Sequence, residues 1–294
     1  MKKQKVAVVG VGRWGKNLLK EFNKQAEIVW CCHNGSADSS KFLAENYPVI
    51  KSTTLLEDIL DDLSIEAVVV ATPTSTHFEI AKRILESNKH LFLEKPGCSN
   101  SGELEILCNL AKKGGLVFAV GYEFTHHPAL EKINELIKDQ DLQFINTEWF
   151  KWGTFNDPIH IHLLSHEISI IKKLTKDSIE PVYFKQHKVI SCSDIIHAEF
   201  AAKKTNISCI INRVSQEKRK TVTVITSNKM FIWSNNELFQ IDEQEKILVP
   251  VHMSDTSSVS KEVQDFIEAI EKKREPKTNG LFALEVYKIV ENLF

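Results

Sequence analysis

The sequence lacks the features that mark a disulfide-stapled or membrane-spanning protein. Its six cysteines include no C-x-x-C pair, and the neighbours Cys31 and Cys32 cannot bridge each other without straining the backbone. We expect all six to be reduced thiols in a cytoplasmic protein. No stretch approaches the roughly 18 consecutive apolar residues of a membrane helix. The opening residues, MKKQKVAVVGVG, are typical of a strand rather than a signal peptide.

The sequence also lacks an excess of either charge. Lys and Arg number 37 and Asp and Glu number 39, which gives a formal net charge of −2. A nucleic-acid-binding surface would be basic and clustered, so we expect neither a nucleic-acid nor a membrane partner. The short basic run QEKRK, residues 216–220, is interpreted as a solvated turn between strands.

What the sequence does contain is an alternation of apolar runs and helical patterns over residues 5–121. Such runs suit strands that are buried on both faces of a parallel sheet. The predicted strands are KVAVVG (5–10), EIVWCC (27–32), IEAVVVA (65–71), HLFLE (90–94) and LVFAVG (116–121). The alternation predicts an α/β fold with a doubly wound parallel sheet, a Rossmann domain over residues 1–121.

The pattern changes after Tyr122. HPALEKINELIKD (127–139) reads as a helix, and from 142 to about 250 strand-like segments dominate, several of them alternating polar and apolar residues. Helical patterns follow at 258–274 and 280–293. We predict an α+β domain over residues 122–294 with a large, open, mainly antiparallel sheet, and a last helix that returns to the first domain.

The first strand leads into a G-x-G-x-x-G loop formed by Gly10, Gly12 and Gly15. A glycine at the first position permits a tight turn, the second lets the backbone approach a pyrophosphate, and the third allows close helix–strand packing. The helix that follows offers free N–H groups to phosphates. We predict a dinucleotide site that includes Arg13 and Trp14 of the same loop.

The end of the second strand bears on the choice of cofactor. An NAD site usually has an acidic residue there, which binds the ribose hydroxyls and repels a 2′-phosphate. Here the position is His33, followed by Asn34 and Ser36, all of which could donate hydrogen bonds to a phosphate. The sequence therefore favours NADP over NAD, although Asp38 is an alternative acidic group for NAD.

Two further segments carry a family resemblance. VVVATPTSTHFEIAKRILESNKHLFLEKPG joins a strand, a T-P-x-x-x-H turn, a helix, a strand and then Glu94, Lys95 and Pro96. With the glycine loop and a later histidine, this order resembles the Gfo/Idh/MocA oxidoreductases. The resemblance implies that Thr72, Pro73, His77 and Glu94 contact the cofactor. From the residues alone, Thr76 to Glu79 is equally a helix capping box.

The resemblance also implies the catalytic residues. Lys95 would lie by the nicotinamide and bind the reacting sugar hydroxyl. A cis peptide bond between Lys95 and Pro96 is also expected. The family's general acid/base histidine corresponds to His166. The family carries an Asp four residues before it, where this sequence has His162. His162 is therefore a predicted substrate contact, to a different sugar hydroxyl or to a pyrophosphate, or it marks a changed activity. Tyr122 matches a third family segment and is also a predicted substrate contact.

His160, His162 and His166 are also candidate metal ligands. In a helix starting at His160, the three rings cannot meet at one ion, whereas His162 and His166 at i, i+4 could supply two ligands. A third ligand and the H-E-x-x-H pattern are missing, so we predict no metal. His126 and His127 could be substrate contacts or a helix cap.

The predicted function is transfer of hydride between nicotinamide and a sugar ring carbon. GRWGKN and HEISII resemble the branch acting on nucleotide-linked amino sugars, which implies carbon 3 as the reacting position. Glu167 stands where that branch has an Asp. The alternatives are an inositol or free-sugar dehydrogenase and a non-catalytic dinucleotide sensor. The open sheet of the second domain would leave an apolar face exposed, and the resemblance implies that a homodimer or homotetramer covers it.

Overall fold

The apolar runs of the N-terminal part form the predicted parallel sheet. The structure, a computed structural model, describes residues 3–155, 158–242, 244 and 246–294. Their contacts divide the chain into two units. The first consists of Met1–Glu123 and Val259–Glu285, and the second of Phe124–Ser258 and Val286–Phe294.

Six strands make the sheet of the first unit, in the order β3-β2-β1-β4-β5-β6, and every pair is parallel. The strands are β1 (Lys5–Val9), β2 (Glu27–Cys32), β3 (Lys51–Thr53), β4 (Ala67–Val70), β5 (His90–Glu94) and β6 (Phe118–Gly121). The strand order reverses between β1 and β4, and ligands of such sheets bind outside the carboxyl ends of the strands at that point.

Helices cover this sheet and bury it on both faces. They are α1 (Arg13–Gln25), α2 (Ala37–Asn46), α3 (Glu57–Leu60), α4 (His77–Glu86), α5 (Ser101–Gly114), α8 (Ser258–Lys272) and the first part of α9 (Gly280–Glu291). Phe22 of α1 contacts Phe92 of β5 and Phe266 of α8 edge-on, with ring centroids 5.4 and 6.0 Å apart. Because these three side chains are fully buried, α8 belongs to the core of the first unit.

The second unit contains an eight-stranded sheet among its described residues, in the order β14-β13-β12-β11-β7-β10-β9-β8. Only the β7–β10 pair is parallel, which confirms the mainly antiparallel prediction. The strands are β7 (Leu142–Trp152), β8 (Glu180–His187), β9 (Ile195–Ala202), β10 (Thr205–Asn212), β11 (Val214–Thr226), β12 (Met230–Ser234), β13 (Glu237–Asp242) and β14 (Ile247–Pro250). Its helices are α6 (Pro128–Leu136) and α7 (Ser165–Thr175).

Two expectations about local structure were wrong, and one strand was not predicted. The run 216–220 is not a turn but part of β11, and Lys220 is buried in it. Thr76 does not cap α4 with its side chain, because a 3-10 turn precedes the helix and the hydroxyl donates back to Pro73 O at 2.8 Å. The short strand β3 was missed, since it is only three residues long.

Two local features follow directly from residue type. Helix α5 ends at Gly115, whose φ of 62° is the left-handed conformation that glycine adopts without strain. Pro128 occupies the first turn of α6. All six cysteines are free thiols. Within the described residues, no helix is long and apolar enough to span a lipid bilayer.

Candidate active site

The glycine loop connects β1 to α1, and two of its three glycines leave no room for a side chain. Gly10 has φ 97°, and a Cβ built on it would lie 2.5 Å from the carbonyl oxygen of Ala71. A Cβ on Gly15 would lie 1.9 Å from the carbonyl oxygen of Gly10. A Cβ on Gly12 would meet nothing within 4 Å, so the loop is tight at both ends and open in the middle.

A cavity of about 570 Å³ adjoins this loop at the carboxyl ends of β1, β2 and β4. Seven predicted cofactor residues line it: Gly10, Gly12, His33, Asn34, Ser36, Thr72 and Pro73. Asp38 and Thr76 also line it. The described lining does not include the other predicted cofactor contacts: Arg13, Trp14, Gly15, His77, Glu94 and Lys95.

The segment after β2 is ordered by its own side chains. The Nδ1 atom of His33 accepts a hydrogen bond from the backbone N–H of Gly35 at 3.1 Å, so the neutral ring carries its proton on Nε2. The Oδ1 atom of Asn34 accepts from the N–H of Ser36 at 3.2 Å, which leaves its amide nitrogen as a donor. Ser36 caps α2, since its hydroxyl oxygen accepts from the N–H of Ser39.

Lys16 and Asp38 form an ion pair at this end of the cavity. The ammonium nitrogen of Lys16 lies 2.6 Å from Asp38 Oδ2 and 4.6 Å from the ring centroid of Phe42. The side chain of Lys16 is 24% exposed and that of Asp38 is 83% exposed. The one acidic side chain of the described lining is therefore already balanced by a cation.

Glu94 connects the glycine loop to the segment that carries Lys95. The indole N–H of Trp14 donates to Glu94 Oε1, and the backbone N–H of Lys95 donates to Glu94 Oε2 at 3.1 Å. Burial raises the pKa of Glu94 to about 7, although the bond from Trp14 acts in the opposite direction. The peptide bond between Lys95 and Pro96 is cis, as expected.

His77 connects two loops instead of facing the cavity. Its Nε2 lies 2.8 Å from the carbonyl oxygen of Thr72, and its Nδ1 lies 3.0 Å from that of Gly97. The side chain is 1% exposed, and burial lowers its pKa. A direct cofactor contact of His77 stays a prediction, whereas its role in joining the turn after β4 to the loop after β5 is plain from these distances.

In the second unit, His166 lies in the first turn of α7 and is buried. Its ring contacts Phe124 edge-on at a centroid distance of 5.1 Å and Trp149 at 5.6 Å. His160 and His162 precede it in a π-helical turn, His160–Leu164, and the ring of His160 lies 4.2 Å from that of Phe294. Within the described residues, no group of three or more His, Cys, Asp or Glu side chains could hold a metal ion.

The other residues singled out by sequence have structural neighbours. His127 caps α6, since its Nδ1 accepts from the N–H of Ala129 at 3.1 Å, and it stacks on Trp233 at 4.4 Å. Tyr122 is fully buried, with its ring edge-on to Phe282 at 6.1 Å. A substrate contact by Tyr122 therefore stays a prediction.

Residues 4–122 match a family described as "Oxidoreductase family, NAD-binding Rossmann fold". This range matches the model of the Gfo/Idh/MocA oxidoreductases. The resemblance drawn from the glycine loop, the TP turn and the EKP segment is thereby confirmed for the first unit's N-terminal part.

Comparison with individual members of this family extends the similarity. UDP-N-acetylglucosamine 3-dehydrogenase of Acidithiobacillus ferrooxidans is 22% identical over 287 residues, 90% of this chain and 88% of that one. Its solved structure has a TM-score of 0.91 and 20% identity, covering 100% of this chain and 97% of that chain. At this identity the structural likeness shows the fold.

Two relatives from Bacillus subtilis match the chain over shorter ranges. The oxidoreductase YrbE is 26% identical over 136 residues, 46% of this chain and 40% of its own length. An NAD-dependent scyllo-inositol 2-dehydrogenase is 30% identical over 127 residues, 42% of this chain and 36% of its own length. The chain thus spans less than half of these two proteins.

Proposed function

We propose that this protein is an NAD(P)-dependent oxidoreductase that moves a hydride between nicotinamide and carbon 3 of a nucleotide-linked amino sugar. The observation that carries the proposal is the glycine-loop cavity, with Lys95 at the end of β5 in the same sheet. Similarity over 90% of the chain to UDP-N-acetylglucosamine 3-dehydrogenase supports the substrate class. The shorter inositol dehydrogenase match supports the cofactor domain and not the sugar.

The glycine loop fits a dinucleotide pyrophosphate. Side chains at Gly10 or Gly15 would collide with backbone, whereas the space around Gly12 is open. The α1 N-terminus has no capping side chain and no acidic residue in its first turn, so its N–H groups suit a phosphate. Gly12, His33, Asn34, Thr72 and Pro73 would hold the dinucleotide, which when bound supplies or accepts the hydride.

Lys95 is assigned to the reacting oxygen. An ammonium beside the sugar hydroxyl stabilises the negative charge that develops on oxygen as hydride leaves the same carbon. The bond from the N–H of Lys95 to Glu94 fixes the backbone at the base of this side chain. Through Glu94 and Trp14, the position of Lys95 is connected to the glycine loop.

His166 is assigned the proton transfer, and His162 a substrate contact. An imidazole titrates near neutral pH, so it can accept the hydroxyl proton during oxidation and return it during reduction. Contacts with Phe124 and Trp149 fix the orientation of the His166 ring. A replacement of His166 by Asn should lower kcat more than it raises KM, because it removes a group used in the transition state.

The segment after β2 favours NADPH over NADH. The Nε2–H of His33 and the amide of Asn34 are donors at the cavity, and Lys16 brings a positive charge beside it. A 2′-phosphate would be attracted by these groups. Asp38 opposes such a phosphate only in part, because Lys16 is paired with it.

The test begins with binding. Purified protein is titrated with NADH and with NADPH while nicotinamide fluorescence is followed, and we expect micromolar binding with NADPH tighter. Turnover of UDP-N-acetylglucosamine with the oxidised cofactor is then measured, with scyllo-inositol as the alternative substrate. Lys95→Ala should abolish turnover and keep cofactor binding. Cofactor binding without turnover of any sugar by the unaltered protein would support the sensor alternative instead.

A further inference from the structure

A lysine occupies a core position of the second sheet. Along β11, Lys220, Val222, Val224 and Thr226 alternate with more exposed residues and point to the buried face. Lys220 is 8% exposed. It lies directly opposite Trp149 of β7 in the antiparallel register, so the two side chains project from the same face of the sheet.

The ammonium of Lys220 has three identified neighbours. It forms an ion pair with the carboxylate of Glu167, which is itself 0% exposed. It also lies 4.2 Å from the ring centroid of Trp149 and 4.5 Å from that of Phe124. Attraction to the negative faces of both rings adds to the ion pair, so the ammonium is held from several directions.

The same two rings contact His166. Its centroid lies 5.1 Å from that of Phe124 and 5.6 Å from that of Trp149, and the two aromatic rings are 5.4 Å apart. His166 and Glu167 are also neighbours in the first turn of α7. Lys220 is therefore linked to His166 through the backbone of α7 and through both aromatic rings.

Stability alone does not explain a buried charge pair at this position. Well-packed apolar residues of similar volume are usually as stabilising as a buried ion pair, or more so. Glu167 Oε2 has no hydrogen-bond partner among the described residues, so the pair is not even fully satisfied. Unlike apolar packing, an ion pair fixes the orientation of the two charged side chains relative to each other.

We propose that Lys220 is a positioning residue for His166, acting through Glu167, Phe124 and Trp149. The inference rests on the proposed role of His166 as the acid/base. The Lys220 ammonium holds the rings of Phe124 and Trp149, against which the His166 imidazole packs. It also holds the carboxylate of Glu167, the residue that follows His166 in α7. Neither Lys220 nor Glu167 takes part in the chemical step.

The first test is kinetic. Lys220→Met removes the charge and keeps the stem, whereas Lys220→Arg keeps a cation that can pair with Glu167 and stack on both rings. With UDP-N-acetylglucosamine as substrate, we expect kcat of the Met variant to fall about 10- to 100-fold, the effect of a slightly misplaced reacting group. KM should change less, and the Arg variant should recover most of kcat.

Arg213→Met is the matched control. It breaks the ion pair between Arg213 and Asp194, which lies in the same unit. The side chain of Arg213 is 2% exposed and that of Asp194 is 0% exposed. Its aromatic neighbour is Phe155 and not Phe124 or Trp149. The control should lower the melting temperature about as much as Lys220→Met and leave kcat of the folded protein unchanged.

The second test is independent of turnover. The protein is labelled at histidine Cε1, and the His166 resonance is assigned as the one missing from His166→Asn. Ring currents from Phe124 and Trp149 set its position in the spectrum. We expect this resonance to shift in Lys220→Met, to stay near its original position in Lys220→Arg, and to be unaffected in Arg213→Met.

The outcomes separate this inference from the proposed function. A shifted His166 resonance with lowered kcat supports both. A shifted resonance in a protein that turns over no sugar supports the positioning of His166 and counts against the proposed function. An unmoved resonance in Lys220→Met, or equal loss of kcat in Arg213→Met, overturns the positioning role.

Discussion

His33 is the residue at which we expect a substitution to change the cofactor preference most. It follows β2, where an acidic side chain would bind the ribose hydroxyls and repel a 2′-phosphate. We expect His33→Asp to weaken NADPH binding about 10-fold, since a carboxylate replaces a hydrogen-bond donor near the phosphate. Binding of NADH should become tighter. Fluorescence titration with both cofactors gives the ratio of the two dissociation constants.

Ser40→Asp provides the control for this substitution. It adds the same charge on an exposed position of α2 that does not line the cavity. The ratio of NADPH to NADH affinity should stay near its original value. An equal change in both variants would mean that net charge, and not the identity of residue 33, sets the preference.

Glu94 should make the stability of the first unit depend on pH. Burial raises its pKa from 4.5 to about 7, so between these values the folded state holds a proton that the unfolded state releases. Stability therefore falls as pH rises through this window. Gln keeps an acceptor for Trp14 and cannot ionise. Glu94→Gln should gain about 2.5 kcal/mol of unfolding free energy relative to the unaltered protein between pH 5 and pH 8.

The measurement is urea unfolding of both proteins at pH 5, 6, 7 and 8. Exposed Glu86 on α4 gives the control, since Glu86→Gln removes a solvated carboxylate. That variant should follow the unaltered protein at every pH. A difference between Glu94→Gln and the unaltered protein that does not change with pH would show that Glu94 is ionised throughout.

At the scale of elements, Asp194 orders the connection between β8 and β9. Its Oδ2 accepts the backbone N–H groups of Val189, Ile190 and Ser191 at 2.8, 2.5 and 2.8 Å, and its Oδ1 pairs with Arg213. Asp194→Ala should cost about 3 to 5 kcal/mol, because it leaves a buried guanidinium unpaired. Thermal and urea unfolding measure the loss.

The exposed pair of Asp177 and Lys203 is the comparison. Their side chains are 31% and 75% exposed, with the charged atoms 2.7 Å apart. Asp177→Ala should cost less than about 1 kcal/mol, as surface ion pairs do. Similar losses at both positions would contradict the view that burial makes the Asp194 network important.

The elements themselves were predictable where one local pattern determined them. The apolar runs predicted five of the six parallel strands, and Gly115 marks the end of α5. The run 216–220 was wrongly predicted as a turn because its charged residues are typical of turns. Its pairing with β7 depends on residues some 70 positions earlier in the chain. Only that register shows that Lys220 faces inward.

At the scale of the whole molecule, the lining of the glycine-loop cavity was the predictable part. Its predicted residues belong to short motifs whose spacing is visible in the sequence, from Gly10 to Pro73. The surroundings of His166 were not predictable, since Phe124, Trp149 and Lys220 come from separate elements and meet only after folding. Sequence spacing identifies a candidate acid/base but not what holds it in place.

The edge of the second sheet leads to a prediction about assembly. Val182 and Tyr183 lie at a β-bulge on the edge strand β8, where they are 66% and 45% exposed, and every residue of this strand except Phe184 is exposed. An apolar edge strand with both faces open invites pairing with another chain. We expect light scattering to give two or four times 33.5 kDa.

Val182→Asp should shift this assembly towards the single chain, because it places a charge where apolar surface would be buried between copies. Leu63→Asp is the control, since Leu63 is 94% exposed and lies in the first unit. It should leave the mass unchanged. A mass of 33.5 kDa for the unaltered protein at micromolar concentration would refute the prediction, and equal dissociation in both variants would place the contact elsewhere.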